Sequence, residues 1–272
     1  MFSHMSYWEG IRSAGAQSVP FRHNDVHSLR QCIKKYGPGV IAIDSVYSTS
    51  GSVAPLRDIV EVSEKFGCTL IVDESHSLGT HGPLGAGMVA ELGLSCRVAF
   101  RTASLAKAFA GRAGFIACSA AFADYFKYES LPAIFSSTLL PYEIAMLDAT
   151  LTVIQREHWR RELLRNNARR IREGLVQLGY NINGSDSHIV SLESGSEQNT
   201  IALRNALNER GVFGSPYCAP ATPANRALLR FSICAALTNE DIAKVLRVCD
   251  EIRSVVNVAE WPSTNRKARY TG

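Results

Sequence analysis

The stretch Thr69-Leu-Ile-Val-Asp-Glu-Ser-His-Ser-Leu-Gly79 begins as an apolar run and ends in polar residues. Four residues that favour a buried strand precede Asp73, and His76 follows three positions later. Such a run is typical of a strand inside a parallel sheet. In open α/β sheets, ligands bind beyond the carboxyl ends of the strands. The stretch therefore predicts a carboxylate and an imidazole at a binding edge, although a cap for the following turn is an equally good interpretation of Asp73.

Residues around this stretch repeat the alternation of strand and helix. Short β-rich runs are predicted at 40–44, 97–102 and 113–118, with an amphipathic helix between Pro55 and Gly67. Proline suits the first turn of a helix, and glycine commonly follows its last turn. The pattern predicts an α/β fold with a mainly parallel sheet covered by helices.

The C-terminal half has a different pattern. One long helix is predicted from Pro141 to about Leu178, followed by strands at 189–192, 212–217 and 228–233 and by helices at 197–210 and 239–256. We therefore expect a small C-terminal α+β domain. The predicted division is a large domain over 1–145, a bridging helix over 146–178, the small domain over 179–260 and a basic tail over 261–272.

Composition limits the classes of function. With 46% apolar and 20% charged residues and a formal net charge of +4, the 272-residue chain is ordinary for a globular protein. Its basic residues concentrate in amphipathic helices and the tail, so we do not expect nucleic-acid binding. Seven cysteines without a C-x-x-C pair predict reduced thiols and a cytoplasmic protein. No apolar run approaches the length of a membrane span, and no signal peptide is recognisable.

A second polar stretch follows the third predicted strand. In Arg101-Thr-Ala-Ser-Leu-Ala-Lys-Ala-Phe-Ala-Gly-Arg-Ala-Gly114, Lys107 stands among small and hydroxyl residues that would let a bulky ring approach the backbone. An amine with an ordinary pKa of about 10.4 becomes a useful nucleophile at neutral pH when it is partly desolvated. Taken alone, a surface lysine is the simpler interpretation.

Taken together, the two stretches supply the groups that pyridoxal 5'-phosphate needs. Asp73 would pair with the pyridinium nitrogen, and His76 would hydrogen-bond the ring hydroxyl. Ser104 would bind the phosphate, and Lys107 would form a Schiff base. A buried anion opposite the ring nitrogen keeps that nitrogen protonated, which makes the ring an electron sink.

Several segments in the same order resemble the α-oxoamine synthases, a family of fold-type I pyridoxal-phosphate enzymes. The resemblance runs from about residue 2 to residue 250 and implies that an acyl-CoA condenses with an amino acid to give an aminoketone. Its most specific segments are Ser3–Ser6, Phe21–Asp25, Asp44–Ser48 with Ala54–Leu56, Asp73–Gly79 and Phe135–Leu139.

The resemblance implies further site residues. His4 would stack on the cofactor ring, with a polar residue in a frayed terminus as the alternative, and Ser48 would lie near the ring hydroxyl. Ser136 and Ser137 would reach the phosphate of a neighbouring subunit, which implies a homodimer with shared active sites. Arg230 would bind the substrate carboxylate.

The same resemblance implies how the reaction proceeds. The freed Lys107 amine would remove the Cα proton, and either His76 or His4 would polarise the developing oxyanion.

Two segments resemble a particular subgroup of the family, which makes a long-chain α-hydroxyketone quorum-sensing signal. They are Thr102–Ala110 and Pro132–Glu143. This implies a medium-chain acyl-CoA and an amino acid such as 2-aminobutyrate or S-adenosylmethionine. Ala108-Phe109-Ala110 replaces the glycines usual in the family, which argues against glycine as the substrate.

Two other functions remain open at this point. One is an aminotransferase of the same fold. The other is a noncatalytic partner subunit, because the family has a further segment, with helices that help to bind acyl-CoA, before the point that matches Phe2.

Overall fold

The computed structural model describes residues 3–182 and 184–261, and the predicted basic tail beyond Trp261 lies outside these ranges. The chain divides into two compact units. Of the described residues, the first unit contains 3–46 and 54–158, and the second contains 47–53 and 159–261. The functional division predicted from the sequence remains a prediction.

A sheet of four strands organises the first unit. Its strands are β1 (Val40–Asp44), β2 (Thr69–Asp73), β3 (Phe100–Ser104) and β4 (Gly114–Ala117). The strands lie in the order β1-β2-β3-β4; the first two pairings are parallel and the last is antiparallel. The predicted α/β fold with a mainly parallel sheet is confirmed.

Seven helices accompany this sheet among the described residues. They are α1 (Met5–Ser13), α2 (Val26–Tyr36), α3 (Leu56–Phe66), α4 (Met88–Glu91), α5 (Ala120–Glu129), α6 (Leu131–Ile134) and α7 (Pro141–Arg156). The buried apolar face of α3 consists of Leu56, Ile59, Val60 and Val62. Gly67, in a left-handed conformation, ends the helix.

The second unit is a small α+β structure. It contains α8 (Trp159–Gln177), β5 (Ile189–Gly195), α9 (Glu197–Asn208), β6 (Ser215–Tyr217), β7 (Ala227–Ser232) and α10 (Asn239–Ile252). Its antiparallel sheet has the order β5-β7-β6. The core formed with the helices includes Leu175, Leu203, Leu229, Ile242 and Trp261. The predicted α+β class of this part is confirmed.

Several predicted elements have other limits in the structure, and two of these differences have a clear structural reason. The third strand starts at Phe100 rather than Arg97 because its pairing with β2 begins at Phe100, while Arg97 forms an ion pair with Glu64 outside the sheet. The long helix predicted after Pro141 is two helices, broken at Glu157 by a non-helical backbone conformation (φ −100°, ψ 61°). The break falls where one compact unit ends and the other begins.

No helix among the described residues has both the length and the apolarity to cross a membrane.

Candidate active site

The carboxyl ends of β2 and β3 form one edge of the sheet in the first unit, and two of the predicted site residues lie there. The strands run parallel, with Asp73 beside Thr102, so Ser104 lies two residues further along β3. The Glu74 N–H extends the pairing by donating to the Thr102 carbonyl at 2.7 Å. The structure therefore brings Asp73 and Ser104 to the same edge of the sheet.

Asp73 caps the turn that follows β2. Its Oδ1 accepts a hydrogen bond from the Ser75 N–H at 2.7 Å, which is the structural role that the sequence left open. The side chain is half-buried. Among the described residues, none donates a hydrogen bond to its second oxygen, Oδ2, so the turn and a bound ligand do not compete for the same atom.

Ser75 links the two polar stretches, and sequence reasoning missed it. Its Oγ accepts a hydrogen bond from the Ser104 N–H at 2.8 Å, while its own N–H is held by Asp73. The Ser104 Oγ in turn accepts from the Ala106 N–H at 3.3 Å. A serine two residues after the strand, where an Asx turn is expected, was the available signal.

A buried ion pair between Glu74 and Arg101 lies on the face of the sheet opposite to Asp73. Successive strand residues point to opposite faces, and Glu74 is fully buried while Asp73 is only half-buried. The Glu74 carboxylate accepts from Arg101 Nε at 2.7 Å, the Val89 N–H at 2.8 Å and Ser77 Oγ at 3.1 Å. Buried charges need such full pairing. Sequence reasoning assigned no role to this network, which holds the backbone next to Asp73.

The loop that carries Lys107 is a closed turn between β3 and β4. The Leu105 N–H donates to the Ala113 carbonyl, the Gly111 N–H to that of Leu105, and the Ala110 N–H to that of Lys107, at 2.8, 2.9 and 3.0 Å. The Lys107 side chain is exposed in the single chain. The desolvation expected from its apolar neighbours is therefore not provided by this chain alone.

Gly79 packs the two polar stretches directly against each other. A Cβ atom at Gly79 would lie 2.6 Å from the Ala108 Cβ, and the backbone there has a φ of +81°. Only glycine permits both the left-handed conformation and this close approach. The end of the Asp73 stretch is thus in van der Waals contact with the residue next to Lys107.

We expect Gly79→Ala to destabilise the fold by about 3 kcal/mol, because overpacking adds to left-handed strain. Gly93→Ala is the matched control, since its φ is +70° with nothing within 4 Å of an added Cβ. That variant should lose only about 1 kcal/mol. Urea unfolding measures both; equal losses would contradict the close packing of the two loops.

The two candidate histidines also belong to the first unit. His76 is half-buried, and its carbonyl accepts from the Thr80 hydroxyl at 3.0 Å. His4 has an exposed side chain that caps α1, where Nδ1 accepts from the Ser6 N–H at 3.3 Å. The backbone of His4 also hydrogen-bonds the carboxyl of Asp44. His4 therefore lies at the end of β1 and caps a helix there.

Asp44 is a buried carboxyl beside Asp73, and sequence reasoning gave it no role. It is the last residue of β1 and the register partner of Asp73. Burial, and secondly the nearby Asp73 carboxylate, raise its pKa from 3.8 to about 8. Its position at the end of a parallel strand was the signal that could have identified it.

Ser48 and Arg230 meet in the second unit. Arg230 lies on β7, where its Nη1 donates to the Ser48 carbonyl at 2.8 Å and its guanidinium lies 4.8 Å from the centre of the Tyr217 ring. Arg230 Nε is buried and has no hydrogen-bond partner among the described residues. A guanidinium placed beside an aromatic ring, with a donor to spare, suits planar recognition of a carboxylate.

Two serines that precede β5 hold the loop of residues 47–53. Ser185 Oγ donates to the Ser50 carbonyl and Ser187 Oγ to the Gly51 carbonyl, both at 2.7 Å. At Gly51, an added Cβ would collide with the Ile189 carbonyl oxygen. Sequence analysis did not foresee that this loop belongs to the second unit.

Ser136 and Ser137 follow α6 and are both exposed. Ser136 Oγ donates to the Ala133 carbonyl at 3.3 Å. Within the described part of the chain, neither serine hydrogen-bonds another predicted site residue. The structure does not bring this pair to the other predicted residues by such contacts.

The first-unit residues suit pyridoxal phosphate by the chemistry of their donors. Asp73 retains a carboxylate oxygen for a cationic ring nitrogen, and Lys107 presents an exposed amine on a loop that packs against the Asp73 stretch. The Ser104 hydroxyl, whose oxygen accepts from the Ala106 N–H, still has a proton to donate to a phosphate. The residues present therefore fit this cofactor.

The fold is that of the fold-type I pyridoxal-phosphate proteins. The profile of the family "Aminotransferase class I and II" matches residues 2–248. The chain belongs to this family and, within it, to the α-oxoamine synthases.

Similar proteins include synthases and acyltransferases. The chain is 53% identical over 250 residues to the CAI-1 autoinducer synthase of Vibrio campbellii, covering 92% of this chain and 63% of that protein. It is 34% identical to the serine palmitoyltransferase of Caulobacter vibrioides, covering 95% and 65%. The chain thus spans less than two thirds of these relatives.

Solved structures agree with this family. A serine palmitoyltransferase with a pyridoxal-phosphate internal aldimine matches with a TM-score of 0.88 and 31% identity, covering 94% of this chain and 66% of that one. The enzyme from Sphingomonas wittichii matches with a TM-score of 0.88 and 28% identity, covering 94% and 65%.

Proposed function

We propose that this chain carries the catalytic residues of a pyridoxal-phosphate enzyme that condenses an acyl-CoA with an amino acid to form an aminoketone. The observation that carries the proposal is the packing of the Asp73 and Lys107 stretches at one sheet edge, through Gly79 against Ala108 and Ser75 against Ser104. The 53% identity to an autoinducer synthase supports the same reaction class.

When bound, pyridoxal phosphate supplies a ring that withdraws electrons from the Cα of an amino acid. Asp73 would keep the proton on the ring nitrogen, because a neighbouring anion favours the charged form. Lys107 Nζ would hold the cofactor covalently, and the free Lys107 amine would serve as the general base for the Cα proton. Ser104 would bind the phosphate.

Three further residues are proposed as cofactor ligands. His76 would donate to the ring hydroxyl, His4 would stack on the ring, and Ser48 would contact the cofactor. Comparing His76→Ala with His4→Ala distinguishes which histidine polarises the developing oxyanion.

The test of the reaction class is the release of free CoA. The full chain, loaded with cofactor, is incubated with a medium-chain acyl-CoA and either 2-aminobutyrate or S-adenosylmethionine. A condensing enzyme releases CoA in proportion to aminoketone. Formation of a keto acid without CoA would favour an aminotransferase, and absence of both products with normal cofactor binding would favour a noncatalytic partner subunit.

We assign the substrate carboxylate to Arg230; its unpartnered Nε and a side chain already held in place by the Ser48 carbonyl support the role. Arg230→Lys keeps the charge but loses the planar fork, so KM for the amino acid should rise about 10- to 100-fold, as expected for the loss of a charge-assisted contact. KM for acyl-CoA should change little. Arg247→Lys is the control, because Arg247 is exposed on α10. An unchanged amino-acid KM would reject the assignment.

The product is proposed to be a quorum-sensing autoinducer precursor made in the cytoplasm. The 53% sequence identity to the autoinducer synthase of Vibrio campbellii supports this class of product. Ala108-Phe109-Ala110 beside Lys107 favours an amino acid other than glycine. Comparing glycine with 2-aminobutyrate tests this, and faster turnover with glycine would contradict it.

We further propose that the active protein is a homodimer with shared active sites. Large exposed apolar side chains recur in the segment of the chain around Ser136 and Ser137, and exposed apolar surface of this kind is typical of a protein interface. They include Tyr125, Tyr128, Leu131, Phe135, Leu140 and Tyr142, of which Phe135 is 83% exposed. Sedimentation of the purified chain as a monomer at micromolar concentration would contradict this assembly.

A further inference from the structure

We propose that Asp44 is a positioning residue for Asp73. It is a buried carboxyl, protonated at neutral pH, that joins the start of α1 to the end of β1 and leaves Asp73 as the ionised member of the pair. The inference rests on the proposed function, because it concerns the carboxylate that would face the cofactor.

The geometry of the strand ends brings the two carboxyls together. Asp44 and Asp73 are register partners on neighbouring parallel strands, so their side chains leave the same face of the sheet. Neighbouring strands lie about 4.8 Å apart. Ser45 fixes this spacing, because its N–H and its Oγ both donate to the Asp73 carbonyl, at 2.8 and 3.0 Å.

The surroundings of Asp44 disfavour a second negative charge. Its side chain belongs to a residue that is 4% exposed, and its Oδ1 has no hydrogen-bond partner among the described residues. A buried carboxylate oxygen without a donor strongly favours protonation. Two carboxyls this close also resist ionising together, so the more buried one keeps the proton.

The groups that face Asp44 come from β2 and α1. From β2 there is the Asp73 carboxylate. From α1 and its cap there are His4, whose backbone hydrogen-bonds the Asp44 carboxyl, and Tyr7, whose hydroxyl donates to the Ile43 carbonyl at 3.4 Å. The Glu74–Arg101 ion pair lies on the opposite face. Asp44 thus connects the α1 end, where His4 lies, to the strand that positions Asp73.

The proton held by Asp44 should make the stability of the protein depend on pH even without bound cofactor. The pKa of Asp44 is about 8 in the folded protein, and the ordinary value is 3.8. Above about pH 4, the folded chain therefore keeps a proton on Asp44 that the unfolded chain loses. Stability therefore falls as pH rises from about 4 to about 8, and it stops falling above the folded pKa.

Thermal unfolding of the cofactor-free full chain at pH 5 and pH 8 tests this. Asp44→Asn keeps the shape and removes the ionisation, so the drop in Tm between the two pH values should shrink by at least half. All other ionisable groups are the same in both proteins, so the difference isolates Asp44. Asp58→Asn, at an exposed position of α3, should keep the wild-type drop. An unchanged drop in Asp44→Asn would overturn the proposal.

Cofactor binding separates this inference from the proposed function. Asp44→Asn should bind pyridoxal phosphate at pH 7 within about threefold of the wild-type Kd, because a neutral group replaces a neutral one. If the wild type itself binds no cofactor, the proposed function fails while the unfolding experiment still decides the protonation of Asp44. A more than tenfold loss of affinity in Asp44→Asn would overturn the neutral assignment.

A measurement on the wild type covers the case in which Asp44→Asn does not fold. Carbon-13 NMR of aspartate carboxyls should show one residue that titrates near pH 8. The absence of any aspartate titrating above about pH 6 would overturn the proposal.

Discussion

Lys107→Ala should abolish the visible absorbance that pyridoxal phosphate acquires on covalent attachment, and it should lower turnover by at least about 10³-fold. The amine is assigned two roles, attachment and proton removal, and general-base catalysis alone contributes about 10² to 10⁴. Because Lys107 is exposed on a loop closed by backbone hydrogen bonds, its removal should leave the stability unchanged.

The matched control is Lys127→Ala. Lys127 is an exposed lysine on α5 that pairs with Asp124 at 3.0 Å, and surface pairs of this kind contribute little. That variant should keep both absorbance and turnover. Turnover by Lys107→Ala near the wild-type rate would reject Lys107 as the attachment site.

Asp73→Asn should lower turnover by about 10²-fold or more, because a neutral amide no longer favours the protonated ring nitrogen. The substitution removes the charge that would face the ring nitrogen but keeps the oxygen that caps the turn. Asparagine Oδ1 can still accept from the Ser75 N–H, so the turn is kept. Circular dichroism and urea unfolding should match the wild type within about 0.5 kcal/mol.

Asp73→Ala provides the comparison. It should lose the same activity and, in addition, about 1 kcal/mol of stability from the unmade turn hydrogen bond. If Asp73→Asn retained full turnover while Asp73→Ala lost it, the residue would be a structural cap only.

Much of the first unit could be predicted from the sequence because its strands are short, apolar and bounded by turn residues. The strands that end at Asp44 and Asp73 have the predicted limits. Local pattern determines such elements, since an apolar run between polar segments has few other ways to be buried.

The contacts that hold the site could not be predicted in the same way. Ser75 bonding Ser104, Glu74 pairing with Arg101 and Ser48 accepting from Arg230 each join residues far apart in the chain. The residue pattern of one sequence predicts which side of a helix or strand is buried and which residues lie at the end of a strand. It does not predict which loops contact each other. The helix break at Glu157 was missed for a related reason: each half packs in a different unit, and no proline or glycine marks the change.

Asp73 and Lys107 are proposed to contact opposite parts of one pyridoxal-phosphate ring, which a crystal structure of the full chain with the cofactor would show. We expect continuous density from Lys107 Nζ to the cofactor and the free Asp73 oxygen within hydrogen-bond distance of the ring nitrogen. Cofactor bound elsewhere, or an Asp73 carboxylate out of reach of the ring nitrogen, would contradict the account.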